Sequence, residues 1–264
     1  MEDTDADSTR SLAEYFHPLD LRLIRGIRER SARDPLWKVM AWAVRECNVT
    51  LDIRRGGICR EGPQLVLGND PSPLAGFVVL SLMTRLDTLF LGAPGWMKMG
   101  GSVTENCLPV YTVGRFRTQP KEAFRAHVIY RFRDGVTPAA AGRINVKSLA
   151  RAADVITQGG TLAMLPAGGT IAKSDNWKHG VGHIAAKVGD VPARVVFIHV
   201  AGTKPRDAVR MLNPHWFRRL RKPLTLAVEF SDPFLLEEFR RPGMSPRDVS
   251  LQLRERYIKL YGSL

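Results

Sequence analysis

The sequence predicts an α/β fold with a central, mostly parallel sheet flanked by helices and an N-terminal helical hairpin. Short apolar runs at residues 64–67, 162–165 and 194–200 are typical of buried strands. Helical patterns at residues 146–158 and 181–187 separate these runs. Because strands that alternate with helices are usually joined by crossover connections, this order favours parallel pairing.

Residues 8–48 carry helical patterns. Residues 1–10 are acidic and are interpreted as a disordered lead-in. Residues 11–48 are predicted to form the hairpin, and its second helix begins after Asp34 and Pro35. Apolar positions in both helices lie beside a basic face. The hairpin therefore either packs against its own domain, which is the favoured interpretation, or lies on a membrane surface.

Residues 49–264 are predicted to form the α/β domain. Gly159 and Gly160 end the helix before the 162–165 strand, and Ser245 is a favoured N-cap for the last helix. Residues 115–143 show few apolar positions and predict a basic loop. The predicted strands are residues 51–53, 64–67, 107–112, 162–165, 194–200 and 224–230, and the predicted helices are residues 72–89, 146–158, 181–187 and 245–261.

The chain carries a large positive charge. Lys and Arg number 39 against 26 Asp and Glu, which gives a net charge of +13. This excess favours polyanionic partners, such as an anionic membrane, the phosphates of coenzyme A or an acidic carrier protein. Nucleic acid is not expected, because basic residues are not interleaved with aromatic ones in a known binding module. The densest cluster, Arg218, Arg219, Arg221 and Lys222, is either a solvated surface or a binding patch.

Cysteine content and hydropathy predict a cytoplasmic protein. Three cysteines in 264 residues give neither a disulfide framework nor paired metal-ligand spacing. Cys107 lies in an apolar run, where an inert buried thiol is expected more than a nucleophile. The N-terminus lacks the apolar core of a secretory signal, and no stretch reaches the ~20 apolar residues of a membrane span. Peripheral membrane contact remains an open alternative.

Two segments that contain candidate catalytic or binding residues follow predicted strands. The first contains Asn69, Asp70 and Ser72, directly before a helix. The second contains Gly168, Gly169 and Thr170, and it leads to Trp177, Lys178, His179 and Gly180. Over residues 60–205 these segments, in this order, resemble the glycerol-3-phosphate and lysophosphatidate acyltransferase family. The resemblance implies that residues 49–264 form an acyltransferase-like domain.

The resemblance implies transfer of an acyl group from a thioester of coenzyme A or acyl carrier protein to an acceptor. In the family a histidine acts as general base and an aspartate five residues later orients it, whereas this chain has Asp70 and Ala75 at those positions. Asp70 is either a replacement base or part of a helix N-cap and turn formed by residues 70–72, and the cap is favoured. His179 is the other candidate base, and His183 and His127 are weaker ones.

The resemblance also implies a substrate-binding set. No His and Glu spacing or acidic cluster in the sequence predicts a metal site, and no bound cofactor is expected. Glycines allow close backbone approach to a phosphate or thioester, and lysine side chains attract phosphates. Arg115 belongs to a faint intermediate motif. The implied substrate-binding residues are Asn69, Ser72, Arg115, Gly168, Gly169, Thr170, Lys173 and Lys178.

Two functions remain open from the sequence. The first is a divergent acyltransferase that uses a non-standard acceptor. The second is a non-catalytic protein that binds an acyl chain, a carrier protein or a membrane. Both predict that the strand ends at residues 67–70 and 165–169 lie side by side at one edge of a cleft.

Overall fold

The computed structural model describes residues 21–69, 72–111, 130–167, 177–204, 209–212, 222–241 and 243–262, together with Asp207 and Pro214. Within these residues one mixed sheet lies between two layers of helices. The strands are β1 Val49–Arg55, β2 Gln64–Gly68, β3 Thr88–Gly92, β4 Cys107–Pro109, β5 Thr161–Met164, β6 Arg194–Ala201, β7 Leu224–Phe230 and β8 Phe234–Leu235.

The helices are α1 Leu21–Ser31, α2 Leu36–Glu46, α3 Pro73–Ser81, α4 Gly101–Glu105, α5 Tyr130–Asp134, α6 Pro138–Thr157, α7 Gly180–Val188, α8 Val209–Leu212 and α9 Pro246–Tyr261. Two 3₁₀ turns cover Pro94–Lys98 and Leu236–Phe239. None of the helices in the described part of the chain is long and apolar enough to cross a membrane.

The strand order is β1-β7-β6-β2-β5-β3-β4, and β8 also pairs with β6. The five strands from β6 to β4 are parallel. β7 and β8 run antiparallel to β6, and β1 is parallel to β7. The predicted α/β fold with a mostly parallel central sheet is therefore confirmed, and its antiparallel pairs lie at the β1 side.

The two faces of the sheet bury separate apolar clusters. On one face Val66, Val196 and Ile198 pack with the hairpin helices α1 and α2 and with α3. On the other face Leu65, Val195 and Phe197 pack with α6, α7 and α9. Successive residues of a strand point to opposite faces, so both faces of β2 and β6 are apolar. This explains the continuous apolar runs in the sequence.

The N-terminal hairpin packs against its own domain. Ile24 and Ile27 of α1, and Val39 and Met40 of α2, are each 0% exposed. These apolar residues join the cluster that includes α3 and the sheet. Packing against the domain therefore explains the apolar stripe of the two helices. Their exposed positions include Arg22, Arg25 and Lys38.

The predicted helix at residues 72–89 is wrong in its second half. Helix α3 ends at Ser81, and Thr88–Gly92 forms strand β3. Between them the Arg85 guanidinium donates to the carbonyl oxygens of Gly62 and Gly159 and pairs with Asp87, which fixes a turn. Because residues 74–83 are almost uniformly apolar, their sequence shows neither helix nor strand periodicity.

The predicted loop at residues 115–143 is also wrong in part. Residues 112–129 lie outside the described residues, but Tyr130–Asp134 and Pro138–Thr157 are helical. Thr137 caps α6, because its hydroxyl accepts a hydrogen bond from the backbone N–H of Ala140 at 3.2 Å. Pro138 then occupies the first turn, where proline is tolerated. These start signals were overlooked because the surrounding residues are small or basic.

Close packing of α7 on α9 predicts opposite effects for two helical glycines. A Cβ at Gly182 would overlap with the carbonyl oxygen of Pro246, whereas a Cβ at Gly142 would have no heavy atom within 4 Å. We expect Gly182→Ala to lower the free energy of unfolding by about 1–3 kcal/mol through overpacking. Gly142→Ala should raise it by up to ~1 kcal/mol, since alanine favours helix.

Urea unfolding followed by circular dichroism measures both free energies. Equal effects of the two substitutions would contradict the tight approach of α7 and α9.

Candidate active site at the carboxyl edge of the sheet

The two motif-bearing strands are neighbours. β2 pairs in parallel with β5, with Leu67 opposite Met164, so the carboxyl ends of both strands lie at the same edge of the sheet. At this edge Gly68 allows close packing, because a Cβ there would lie 2.7 Å from Leu165 Cδ2 and 2.9 Å from Val79 Cγ2. Residues 67–69 and 165–167 therefore lie side by side, as the sequence predicts for the described part of each segment.

Asn69 joins the end of β2 to β6. Its Nδ2 donates to the carbonyl oxygen of Val200 at 2.9 Å, and its Oδ1 accepts from the Val200 N–H at 2.7 Å. Its own backbone N–H donates to the carbonyl oxygen of Ile198 at 3.2 Å. Asn69 is 3% exposed. Its side-chain amide makes the two hydrogen bonds to Val200 that the backbone of a further strand residue would otherwise make. Asn69 therefore fixes the position at which the chain leaves the sheet.

Ser72 links the start of α3 to the segment after β6 by a hydrogen bond. Its hydroxyl lies 2.8 Å from that of Thr203, and its side chain is fully buried. The N-cap position of α3 is Ser72, the last residue of the segment 70–72 that the sequence predicts to form a helix N-cap and turn. Ser72 has extended backbone angles and makes no side-chain cap bond. Ala75 is buried in the first turn of α3.

Lys178 and His179 follow the second segment and precede α7. The backbone N–H of Lys178 donates to the carbonyl oxygen of Pro166 at 2.9 Å, which brings residue 178 back to the end of β5. The Lys178 side chain is half-buried. His179 is exposed at the N-cap position of α7 and makes no side-chain cap bond, and His183 is exposed on α7.

The other predicted site residues lie outside the described residues. They are Asp70, Arg115, Gly168, Gly169, Thr170 and Lys173, and the same holds for the weaker candidate His127 and for Arg218, Arg219 and Arg221 of the basic cluster. Lys222, the last residue of that cluster, is described and exposed.

A histidine that sequence reasoning missed lies at this edge. His199 belongs to β6, and its Nδ1 is 2.5 Å from the hydroxyl of Tyr257 on α9. Its ring stacks on Tyr261, with centroids 4.7 Å apart and an angle of 6° between the planes. The overlooked signal is that His199 is the one polar residue among residues 195–201. A polar side chain in a buried strand requires a hydrogen-bond partner, and Tyr257 provides it.

Burial sets the protonation of this aromatic cluster. It lowers the pKa of His199, and the nearby Glu229 opposes that shift. Burial raises the pKa of Tyr257 strongly, and it raises the pKa of Tyr261 to about 12. At neutral pH the imidazole and both phenols are therefore uncharged.

The two buried cysteines offer no thiolate, and the described part of the chain shows no metal cluster. Burial raises the pKa of Cys47 and of Cys107 to about 12, so both remain thiols at neutral pH. Within the described ranges, no group of three or more His, Cys, Asp or Glu side chains could hold a metal ion.

Comparison with known proteins gives a distant structural likeness. No family model matches this chain, and neither does any curated protein. Among solved structures it is similar to the 1-acyl-sn-glycerophosphate (LPA) acyltransferase PlsC from Thermotoga maritima, at 15% identity and a TM-score of 0.40. The match covers 96% of this chain and 95% of that one. At this distance the likeness assigns neither activity nor substrate to the chain.

The Asn69 amide predicts a measurable contribution to stability. Asn69→Ala removes both bonds to Val200 and leaves buried backbone groups without a partner, so unfolding free energy should fall by about 1–3 kcal/mol. Asn106→Ala is a matched control, because its Nδ2 makes one bond, to the carbonyl oxygen of Ser102. Urea unfolding of both variants tests this. A larger loss of unfolding free energy in the Asn106 variant would contradict the contribution proposed for the Asn69 amide.

Titration of His199 predicts that stability rises with pH. Because its pKa is lowered in the folded state, the unfolded chain binds more protons between the two pKa values. The free energy of unfolding should therefore decrease as the pH falls from about 7.5 to about 5.5. This range lies above the pKa values of the carboxylates. His199→Gln should flatten this slope, while His183→Gln should retain it. Unfolding free energies across this range provide the measurement, and an unchanged slope in His199→Gln would contradict it.

Proposed function

We propose that this chain binds an acyl thioester at the carboxyl edge of its sheet and transfers the acyl group to a non-standard acceptor. The donor is acyl-CoA or acyl carrier protein, and the acceptor is an alcohol or amine other than a glycerol phosphate. The protein acts in the cytoplasm, with peripheral contact to an anionic membrane through its basic surface. No bound cofactor is required.

The parallel pairing of β2 with β5 is the observation that carries this proposal. It brings the end of β2, which leads into Asn69, next to the end of β5, which leads into Ala167. Ligands of α/β proteins bind beyond the carboxyl ends of parallel strands, at points where neighbouring connections diverge. β2 is followed by α3 on one face, and β5 leads to α7 on the other. This divergence supports a cleft between the two segments.

The proposed reaction needs a base and a site for developing negative charge. The acceptor oxygen or nitrogen attacks the thioester carbonyl, the base takes the acceptor proton, and the thiol leaves. The N-terminus of α3 begins at Pro73, next to Ser72, and a helix N-terminus favours negative charge. Backbone groups of Gly168, Gly169 and Thr170 are proposed oxyanion donors.

Asp70 and His179 are the bases that the sequence proposes, and each has a chemical weakness. A carboxylate of ordinary pKa is a poor base for an alcohol at neutral pH. His179 is exposed, and the described residues give its side chain no hydrogen bond that would orient it. Loss of a general base typically costs ~10²–10⁴-fold in rate, so transfer to glycerol 3-phosphate should be slow. An amine is already nucleophilic when neutral and needs less help.

Release of coenzyme A from a long-chain acyl-CoA tests the proposal. We expect wild-type protein to release it faster with an alkyl amine than with an alkyl alcohol, and slowest with glycerol 3-phosphate. Chromatographic measurement of coenzyme A avoids thiol reagents, which would react with the half-exposed Cys59. Asp70→Asn and His179→Ala assess the two proposed bases, because loss of the acting base should cost ~10²–10⁴-fold with the alcohol.

Absence of release with every acceptor, from both acyl-CoA and acyl carrier protein, would contradict the transferase proposal. Tight binding of the same acyl-CoA without turnover would instead support a non-catalytic acyl- or carrier-binding protein. Calorimetric titration with a non-reactive thioether analogue separates these outcomes, since it measures binding without chemistry.

A further inference from the structure

We propose that His199 is the general base for this acyl transfer and supplies the imidazole that the chain lacks at position 70. The inference rests on the proposed function. It adds a catalytic residue from a different strand, which the motif segments do not contain.

His199 lies directly across from the first motif segment. Asn69 hydrogen-bonds to the residues on either side of it, through its backbone to Ile198 and through its side chain to Val200. Adjacent strands are separated by about 4.8 Å, so the His199 backbone lies roughly one strand spacing from Asn69. Position 70 is the next residue along the chain. The backbone of His199 therefore lies level with Asn69, where the described part of β2 and its following residue ends.

His199 also connects to the second motif segment. Trp177 is the first described residue after Gly168, Gly169 and Thr170, and its ring centroid lies 5.7 Å from that of Tyr257. Tyr257 is the hydrogen-bond partner of His199. Both rings belong to the apolar cluster beneath α9. His199 is thus linked to one motif segment through β6 and to the other through Tyr257.

The ring is held with one nitrogen left for a substrate. Nδ1 is used by Tyr257, and stacking on Tyr261 restricts rotation of the ring. Among the described residues, no group hydrogen-bonds to Nε2, and the side chain is half-exposed. When Nδ1–H donates to the Tyr257 hydroxyl oxygen, Nε2 keeps its lone pair. This tautomer is the one that accepts a proton.

The surrounding charges suit a base that is neutral at rest and charged during the reaction. Glu229 stands opposite His199 on β7, and Arg54 of β1 approaches Glu229 at 3.8 Å. Arg55 and Asp232 form an ion pair at 2.5 Å, and both influence Tyr261. Burial keeps the pKa of His199 below its usual value, whereas Glu229 favours the imidazolium. The imidazole is therefore available at neutral pH, and its protonated form has a nearby counter-charge.

The step balances without any further reactant. Nε2 takes the proton from the acceptor O–H or N–H while the acceptor atom bonds to the thioester carbonyl carbon. The tetrahedral intermediate then collapses and the C–S bond breaks. The imidazolium returns its proton to the leaving thiolate, so the products are the acylated acceptor and a free thiol, and His199 is neutral again.

The test uses full-length protein and compares His199→Gln with Lys187→Gln, which introduces the same residue on the exposed face of α7. With an alkyl alcohol as acceptor, we expect kcat of His199→Gln to fall by ~10²–10⁴-fold with little change in KM. The loss should be smaller with an alkyl amine. Wild-type kcat/KM should decline as pH falls through the lowered pKa of His199, and His199→Gln should lose this decline. Lys187→Gln should behave as wild type.

Tyr257→Phe separates a catalytic role from a structural one. It removes the hydroxyl that orients Nδ1 and keeps the aromatic ring, so kcat should fall less than in His199→Gln and the pH dependence should shift. Binding of the thioether analogue should stay at the wild-type value in both variants, which shows that they are folded.

Wild-type turnover with unchanged kcat and pH profile in His199→Gln would overturn this inference and leave the proposed function intact. No turnover in wild type would overturn both. Loss of analogue binding in His199→Gln, together with lost activity, would overturn the catalytic role in favour of a structural one.

Discussion

The parallel register of β5, β2 and β6 is the constraint on which the rest of the site depends. It aligns three strand ends at one edge, with Leu67 opposite both Met164 and Phe197. Asn69 extends this register by one residue, because its side-chain amide replaces a backbone pair opposite Val200. The start of α3, the end of β6 and the turn after β5 are therefore held in a fixed relation, and a ligand at this edge would meet all three.

The two faces of the sheet contribute differently to that edge. One face is dominated by aliphatic packing of the hairpin and α3. The start of α3 is held there by the contact between the hydroxyls of Ser72 and Thr203. The other face carries an aromatic cluster in which Trp177, Phe197 and Tyr257 contact one another. His199 lies on this second face, where it pairs with the Tyr257 hydroxyl. Its burial costs free energy that the Tyr257 hydrogen bond offsets, and a histidine retained at that cost is a candidate for function.

Much of the fold could be predicted because the apolar patterns are local. Strand β7 has the predicted bounds, and α9 begins after Ser245, whose hydroxyl accepts from the backbone N–H of Asp248. The prediction was wrong where local pattern carries no period, as in the apolar stretch before β3. Of the candidate site, the sequence correctly predicted that the ends of β2 and β5 lie side by side, with Leu67 opposite Met164. It overlooked His199, because a histidine within an apolar strand has no motif of its own.

The sequence by itself determined the alternation of strands and helices, the absence of a histidine at position 70 and the glycines and threonine at 168–170. Only the tertiary structure decided which strands are neighbours and which distant side chains meet. The pairing of His199 with Tyr257 joins residues 58 positions apart, and that of Asn69 with Val200 joins residues 131 positions apart. Such contacts follow from parallel pairing and helix docking on the sheet, which depend on the summed burial of many apolar side chains rather than on local pattern.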